Sequence, residues 1–291
     1  MRLVLSGAID GFLAAGVFAL MASGLTLIFG VMRVINLAHA AFVVVGAYLS
    51  YQLQRWFDLD LFLGLLITMP VLFALGMFVE SVILSRLDRE RELMSLLVTF
   101  AIAVIAEGLL NATYGTSFIK LQTSFSGQAF KIAGFTLDQM QVYAFGLSAL
   151  ILAMLSVLLY RTLFGRSVRA AIENELGAEL IGIDRARIKA VSFGIGTALA
   201  GAGGMALATT VSVNAASMYA LMPTLLAIVI LGGLGSLKGT LIASLIILVS
   251  EGITSVVWSA TWAVVLSYGL MAFVLLVRPR GLFGWMEARA Q

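Results

Sequence analysis

Apolar residues occupy most of this chain in long runs, and short polar breaks separate the runs. A helix needs about 20 apolar residues to cross the roughly 30 Å of hydrocarbon in a membrane. Runs of about that length predict membrane-spanning helices at residues 8–30, 37–57, 61–85, 93–113, 140–160, 190–212, 222–236, 240–257 and 262–277. The pattern predicts an all-α, polytopic transmembrane bundle of eight or nine membrane segments, some broken or short, which forms one domain over residues 1–291.

The composition supports a membrane protein and excludes several kinds of chemistry. Hydrophobic residues make up 61% of the chain and charged residues 11%, which is not a soluble composition. The chain has no cysteine, so disulfides and thiolate sites are excluded, and its single histidine leaves any metal site to rest mostly on carboxylates. No Ser–His–Asp grouping is evident, so we expect a protein that is not an enzyme and binds no metal.

The basic residues predict an orientation in the membrane, because Lys and Arg concentrate in cytoplasmic loops. With nine crossings and the N-terminus outside, the cytoplasmic segments hold fourteen of the 18 Lys and Arg residues: Arg33, Arg86, Arg89, Arg91, Arg161, Arg166, Arg169, Arg185, Arg187, Lys189, Lys238, Arg278, Arg280 and Arg289. These residues report orientation rather than binding to nucleic acid. The largest external loop is then 114–139, whose Ser, Thr and Gly residues predict extended or hairpin structure.

Two segments share an apolar run, a short interruption and a second apolar run. They are "GLTLIFGVMRVINLAHAAFVVVGAYLS" (24–50) and "LLAIVILGGLGSLKGTLIASLIILVSEG" (225–252). Interrupted segments at corresponding places in two halves indicate broken helices around a transport route, although two ordinary helical hairpins fit the pattern equally well. The short run 222–236 either crosses the membrane or re-enters it. From these segments we expect a substrate path that includes Asn36, His39, Gly232, Gly233, Gly235 and Glu251.

Asn36 and His39 lie in the stretch "INLAHAAF". Asn36 can cap the following helix, and His39 then falls in its first turn. A single histidine at a helix start is either a structural residue or a hydrogen-bond partner for an anionic or amide substrate. Both interpretations stay open at this point.

The longest polar stretch is "RSVRAAIENELGAELIGIDRARIK" (166–189), between the fifth and sixth predicted spans. Apolar residues recur in it at steps of four, four and three residues, at Ile172, Leu176, Leu180 and Ile183. This spacing predicts an amphipathic helix, which we expect to break near Gly177 and Gly182. Its apolar ridge suits a groove on another protein, or else the helix lies on its own bundle.

The glycine-rich stretch "GGLGSLKGT" (232–240) superficially resembles a phosphate-binding loop. The Walker pattern requires glycine directly before lysine and then serine or threonine, whereas here Lys238 precedes Gly239. If the protein uses ATP, another chain must bind it. The glycines are expected mainly to let backbone segments approach closely.

Four ordered motifs, which together span nearly the whole chain, resemble one transporter family. They are "GLTLIFGVMRVINLAHAAFVVVGAY", "GRSVRAAIENELGAELIGIDRARIKAVSFGIGTALAGAGG", "VILGGLGSLKGTLIASLIILVSEG" and "VLLVRPRGLFG". They are similar to the "INxAHG" region, the cytoplasmic loop with its following span, the "LGGxGSxxGxxxGG" segment and the "RPxGLFG" end of branched-chain amino acid ABC transporter permeases, the LivH-like inner-membrane subunits. The sequence departs from the pattern at Ala40, Ala243 and Ser244, where glycine is usual.

The resemblance implies one of two permease subunits that form a heterodimer in the inner membrane of a bacterium. It further implies two cytoplasmic ATPase subunits, which use ATP and Mg²⁺, and a periplasmic substrate-binding protein. No cofactor is expected on this chain. The coupling loop of the family, at about 161–189, falls on Arg169, Ala170, Ala171, Glu173, Gly177, Ala178, Leu180, Gly182 and Ile183.

Several alternatives remain open from sequence. The scaffold of this family serves branched-chain and other amino acids, urea, short amides and aromatic acids, so the substrate is not fixed. A secondary transporter or a channel is the alternative of another class. Against a proton-coupled carrier, no predicted span carries two acids plus a base, as a central proton relay would require.

Overall fold

The computed structural model describes residues 1–57, 61–87, 91–123, 127–132, 135–278 and 281–283. The predicted positions Arg89, Arg280 and Arg289 and parts of the external loop and of "VLLVRPRGLFG" lie outside this range. The long helices are α1 (Arg2–Met32), α2 (His39–Phe57), α3 (Leu61–Phe78), α4 (Arg91–Tyr114), α5 (Gln139–Arg161), α8 (Arg185–Thr210), α9 (Ser217–Gly232), α10 (Leu237–Val257) and α11 (Ala260–Val277). The shorter elements are a π-helical turn (Val79–Ile83), a 3₁₀ turn (Leu84–Arg86), α6 (Leu163–Glu173), α7 (Glu175–Leu180), β1 (Ala129–Ile132) and β2 (Phe135–Asp138).

The predicted all-α membrane bundle is confirmed. Within the described residues, seven helices are long and apolar enough to cross a membrane, namely α1, α3, α4, α5, α8, α10 and α11, and α9 is a shorter apolar helix. The protein is therefore a multi-pass membrane protein. We name the two ends of the bundle by the predicted orientation: α6 and α7 mark the cytoplasmic end, and the antiparallel pair β1–β2, within the predicted external loop, marks the external end.

Short polar residues begin most of the helices after α4. Each accepts a hydrogen bond at its helix N-terminus, where the backbone N–H groups have no partner within the helix. These caps are Asp138 for α5, Thr162 for α6, Asn174 for α7, Asp184 for α8, Ser236 for α10 and Ser259 for α11. The caps fix where the chain turns between otherwise continuous apolar runs.

The link between α1 and α2 turns back into the bundle. The backbone N–H of Leu37 donates to the Thr99 hydroxyl on α4, and the Nε2 atom of His39 lies 2.8 Å from the carbonyl oxygen of Met21. Met21 lies 11 residues before the end of α1, which is about 16 Å along a helix that rises 1.5 Å per residue. Helix α2 therefore begins deep in the bundle rather than at its cytoplasmic edge.

The link between α8 and α9 also turns back into the bundle, but from the external end. Val213 pairs in antiparallel fashion with Ile119 of the external loop, and Leu121 donates its N–H to the carbonyl of Ala208. The Tyr219 hydroxyl, in the first turn of α9, donates to Glu107, which lies seven residues or about 10 Å inside the end of α4. Helix α9 thus also begins below the end of the bundle.

These two links reveal an inverted repeat. Helix α3 packs on α8 as α10 packs on α1, and α2 contacts α3 and α4 as α9 contacts α10 and α11. The repeat relates residues 2–114 to 185–277, which run through the bundle in opposite directions. The predicted match between residues 24–50 and 225–252 is therefore wrong, because the α1–α2 link corresponds in the repeat to the α8–α9 link. A break in an apolar run marks a turn in both cases, whether the chain re-enters the bundle or reverses at its edge.

Helix α8 lies at the centre of the bundle and packs through small residues four positions apart, a spacing typical of close helix packing in membranes. Its residues Gly196, Ala200 and Gly204 are buried. A Cβ atom on Gly204 would lie 1.8 Å from the backbone oxygen of Val43 in α2, and one on Gly196 would lie 2.6 Å from Ile28 in α1. Helix α8 can pack this closely on α1, α2 and α3 because the two glycines have no side chain and Ala200 has only a methyl group.

Candidate functional site

The predicted path glycines lie in a cytoplasmic junction where three segments of the chain meet. A Cβ atom on Gly232 would lie 2.5 Å from the backbone of Gly239 at the start of α10. A Cβ atom on Gly281 would lie 2.7 Å from the Cα atom of Gly233, and the N–H of Phe283 donates to the carbonyl of Gly232. The close backbone contacts join the end of α9, the start of α10 and the C-terminal segment 281–283.

Gly235 extends this junction to α1 and to the cytoplasmic helix α6. Its φ of +81° lies in the region that favours glycine. A Cβ atom on Gly30, in the last turn of α1, would lie 3.4 Å from the Cα atom of Gly235 and 3.5 Å from the Cδ1 atom of Ile172 on α6. Ile172 and Gly235 therefore pack on the same point of α1.

Asn36 and His39 are brought together at the start of α2, and neither is exposed. The Asn36 side-chain oxygen accepts from the N–H of Ala38, and the His39 ring bonds to Met21. The Nδ2 atom of Asn36 and the Nδ1 atom of His39 are buried and have no hydrogen-bond partner among the described residues. Both residues therefore hold the break between α1 and α2, and each keeps one polar atom available for another partner.

Glu251 lies apart from both groups. It is in the external half of α10, 14 residues from the start of that helix, which is about 21 Å. Its Oε1 atom accepts a 2.6 Å hydrogen bond from the hydroxyl of Ser267 on α11. The predicted path residues thus occupy three separate places, and their role in transport stays a prediction.

The predicted coupling segment folds as two helices with different contacts. Helix α6 is fixed to the end of α5: a Cβ atom on Gly165 would lie 2.1 Å from the carbonyl oxygen of Leu159, and Arg169 donates to that same oxygen. The guanidinium of Arg169 also lies 5.5 Å from the ring centre of Tyr160. Val168 is buried beneath them. Helix α6 is thereby anchored to the bundle.

The predicted apolar ridge divides between two sides of this segment. Ile172 and Ile183 are half-buried against the core, whereas Leu176 is 69% exposed and Leu180 is 89% exposed. The single ridge predicted from spacing is therefore wrong, because the helix breaks at Asn174, which caps α7, rather than at Gly177. The exposed ridge of α7 includes a residue that the spacing missed, since Ile181, just past the end of the helix, is 76% exposed.

The remaining predicted coupling residues lie around this ridge. Gly182, with a φ of +87°, ends the turn after α7, where its N–H donates to Glu179 and the N–H of Ile183 donates to Ala178. Glu173 is exposed, Ala170, Ala171 and Gly177 are half-buried, and Ala178 is buried. An ion pair of 2.8 Å between Arg185 and Glu179 connects α7 to the start of α8.

Two polar contacts between helices were not predicted from sequence. The hydroxyl groups of Thr26 in α1 and Thr240 in α10 lie 2.6 Å apart beside the glycine junction. The hydroxyl of Tyr219 donates to Glu107 between α9 and α4. Single hydroxyl residues inside apolar runs give no pattern that would have indicated either pair. Among the described residues, no three His, Asp or Glu side chains form a group that could hold a metal ion.

Comparison with known proteins assigns the family. A family model described as the permease component of the branched-chain amino acid transport system matches residues 7–275. The chain belongs to this permease family. No solved structure matches this permease.

Curated relatives agree over nearly the full length of this permease. The high-affinity branched-chain amino acid transport system permease protein LivH of Salmonella typhimurium is 26% identical, with 96% of this chain and 94% of that protein covered. The probable LivH permease of Methanocaldococcus jannaschii is 31% identical, with 97% and 92% covered. The permease protein LivM of Escherichia coli is 24% identical, with 96% of this chain and 71% of that protein covered.

Proposed function

We propose that this chain is one permease subunit of a bacterial ABC importer, and that it forms part of the path for branched-chain or related amino acids across the inner membrane. Two cytoplasmic ATPase subunits would use ATP and Mg²⁺ to drive transport, and a periplasmic binding protein would deliver the substrate. The observation that carries the proposal is an exposed apolar ridge at the cytoplasmic end of a chain that belongs to this permease family.

The ridge consists of Leu176, Leu180 and Ile181, and we call it the docking ridge. Between 69% and 89% of each of these residues is exposed. In the predicted orientation, the ridge lies on the segment that connects the cytoplasmic ends of α5 and α8, and this places it outside the hydrocarbon of the membrane. Exposed apolar clusters rimmed by polar residues are typical of protein-binding surfaces, and a short amphipathic helix fits a groove on a partner. We assign that groove to an ATPase subunit.

Helix α6 provides a direct connection from the docking ridge to the transmembrane helices. Ile172 packs on Gly30 at the end of α1, at the point where Gly235 of the α9–α10 turn also contacts α1. A movement of α6–α7 would therefore be passed to both halves of the inverted repeat at once. Closure of the ATPase subunits would in this way rock the bundle between outward-facing and inward-facing states as rigid bodies.

The α1–α2 link would carry this movement toward the predicted path. It follows Gly30 within a few residues and holds Asn36 and His39, whose unbonded Nδ2 and Nδ1 atoms are buried in this state. A shift of the last turn of α1 would expose these atoms to the route, where they could contact a passing substrate. The partner that completes the route would be a second permease subunit, since relatives of both the LivH and LivM type match this chain.

The docking ridge can be tested by one matched pair of substitutions in the assembled importer. Leu180→Ala removes most of the side chain at the most exposed ridge position, whereas Leu150→Ala makes the same change at a 53% exposed position of α5 in the membrane. Full burial of a leucine side chain contributes about 1.5–3 kcal/mol, so Leu180→Ala should weaken ATPase association by roughly 10- to 100-fold. Leu150→Ala should leave it unchanged.

The measurement is the amount of ATPase that co-purifies with the tagged permease, together with ATP-driven uptake in vesicles. Equal retention of the ATPase by Leu180→Ala and Leu150→Ala would remove the ridge from the coupling surface. Substitution of Glu173 or Gly177 should separate ATP hydrolysis from uptake, and normal uptake by both variants would contradict the coupling role of this segment.

A further inference from the structure

Glu107 is a carboxylate inside a membrane-spanning helix that remains partly exposed. It lies in the span 93–114 of α4, about 10 Å inside its external end. Its Oε2 atom accepts a 2.5 Å hydrogen bond from the hydroxyl of Tyr219 on α9, and Tyr219 is itself 50% exposed. The contact joins two helices from different halves of the inverted repeat on an outward surface of this chain.

An ionisable group at this depth is unfavourable against lipid. Such groups normally face the interior of a bundle or a water-filled cavity, where they mark routes for substrates and ions. Glu251 follows this rule in α10, where it is held by Ser267 in the contact with α11. Glu107 has the Tyr219 hydroxyl on one side, and the rest of its exposed surface faces away from this chain. We therefore expect a water-filled route to cover this surface in the assembled transporter.

Small residues lie beside the Glu107–Tyr219 pair. Gly108, Ala220 and Pro223 are exposed beside the pair on α4 and α9, whereas Ile105 and Leu109 are large, exposed apolar residues of α4. Small side chains leave room in front of the carboxylate for a solute.

The face of α4 that holds Glu107 changes character along its length. Steps of four, three and four residues place Phe100, Val104, Glu107 and Asn111 on one side of the helix. Phe100 and Val104 are exposed toward the cytoplasmic half, and Asn111 lies above Glu107 toward the outside. A solute with a charged end and an apolar end could therefore place the apolar end on Phe100 and Val104.

We propose that Glu107, oriented by Tyr219, binds the ammonium group of an amino-acid substrate on the path that this chain shares with the second permease subunit. An ionised carboxylate accepts hydrogen bonds only, so it selects the ammonium end of a zwitterion rather than its carboxylate. The apolar surface at Phe100 and Val104 receives an aliphatic side chain. This inference rests on the proposed function as an amino-acid importer.

The test uses the complete importer in vesicles, with uptake of leucine and ATP hydrolysis measured on the same samples. Glu107→Gln keeps the shape of the side chain and removes its charge, and loss of one charge-assisted hydrogen bond predicts a fall in maximal uptake of about tenfold or more. Glu107→Asp keeps the carboxylate and should recover a substantial part of the uptake. Asp10→Asn, an isosteric change at a partly exposed carboxylate in the external half of α1, is the matched control and should transport normally.

Basal ATP hydrolysis and co-purification of the second permease and the ATPase should be unchanged in Glu107→Gln. Wild-type uptake by Glu107→Gln would overturn the inference. Loss of the second permease subunit from Glu107→Gln would also overturn it, because the pair would then be a subunit contact. An assembly of wild-type chains that fails to take up any amino acid with ATP would instead contradict the proposed function.

Discussion

The packing of α8 predicts a large difference between two identical substitutions. In Gly204→Ala the new methyl carbon would lie 1.8 Å from the backbone oxygen of Val43, and contacts under 3.0 Å essentially do not occur. The backbone of α2 must therefore move by at least 1.2 Å, the difference between these two distances, and the contacted atom belongs to a backbone that cannot rotate away. Overpacking of this kind costs about 1–3 kcal/mol, and we expect the upper end or more because α8 contacts α1 and α3 as well.

Gly146→Ala is the matched control, because a methyl group at this position of α5 meets nothing within 4 Å. It should be neutral or slightly stabilising, since alanine favours a helix over glycine by about 0.5–1 kcal/mol. The assay is thermal unfolding of the purified protein in detergent, where a loss of about 3 kcal/mol corresponds to roughly 6–12 °C in melting temperature. Equal melting temperatures for Gly204→Ala and Gly146→Ala would refute the central packing of α8.

Three further predictions concern the coupling route and the predicted path. Ile172→Ala should keep the ATPase bound but raise the ATP hydrolysed per substrate transported, because it removes the contact with Gly30. Ile172→Leu should restore this ratio. A normal ratio in Ile172→Ala would exclude coupling through this contact. His39→Ala removes the bond to Met21 and one unbonded nitrogen, so uptake should fall, and unchanged uptake would remove His39 from the path. Thr240→Val removes the hydrogen bond to Thr26 but keeps the side-chain volume nearly the same, so it should lower the free energy of unfolding in detergent by about 1 kcal/mol. An unchanged melting temperature would show that this hydrogen bond has no net effect on stability.

Apolar run length was sufficient to predict the fold class and most of the helices. It located the break at Asn36 and His39, because two polar residues interrupt the apolar run there. It did not show that this break lies deep in the bundle, since depth depends on bonds such as that from Leu37 to Thr99. Because run length does not show depth, the pattern also matches residues 24–50 to 225–252, which is not their partner in the repeat.

The candidate site was predictable where one segment carries its own pattern. The coupling segment has a distinct helical spacing, yet the spacing could not show that Ile172 faces inward while Leu180 faces outward. That difference arises from the cap at Asn174, which redirects the chain between α6 and α7. Glu107 could be seen as an acid inside a span, but its importance depends on Tyr219, which lies 112 residues away in sequence.

The most direct test of the proposed importer function compares uptake by two sets of vesicles. One set contains this chain with the second permease, the ATPase subunits and the binding protein, and the other contains this chain alone. We expect uptake of branched-chain or related amino acids only in the complete assembly and only with ATP and Mg²⁺. Uptake by this chain alone without ATP would contradict the proposed function and would indicate a secondary transporter or a channel.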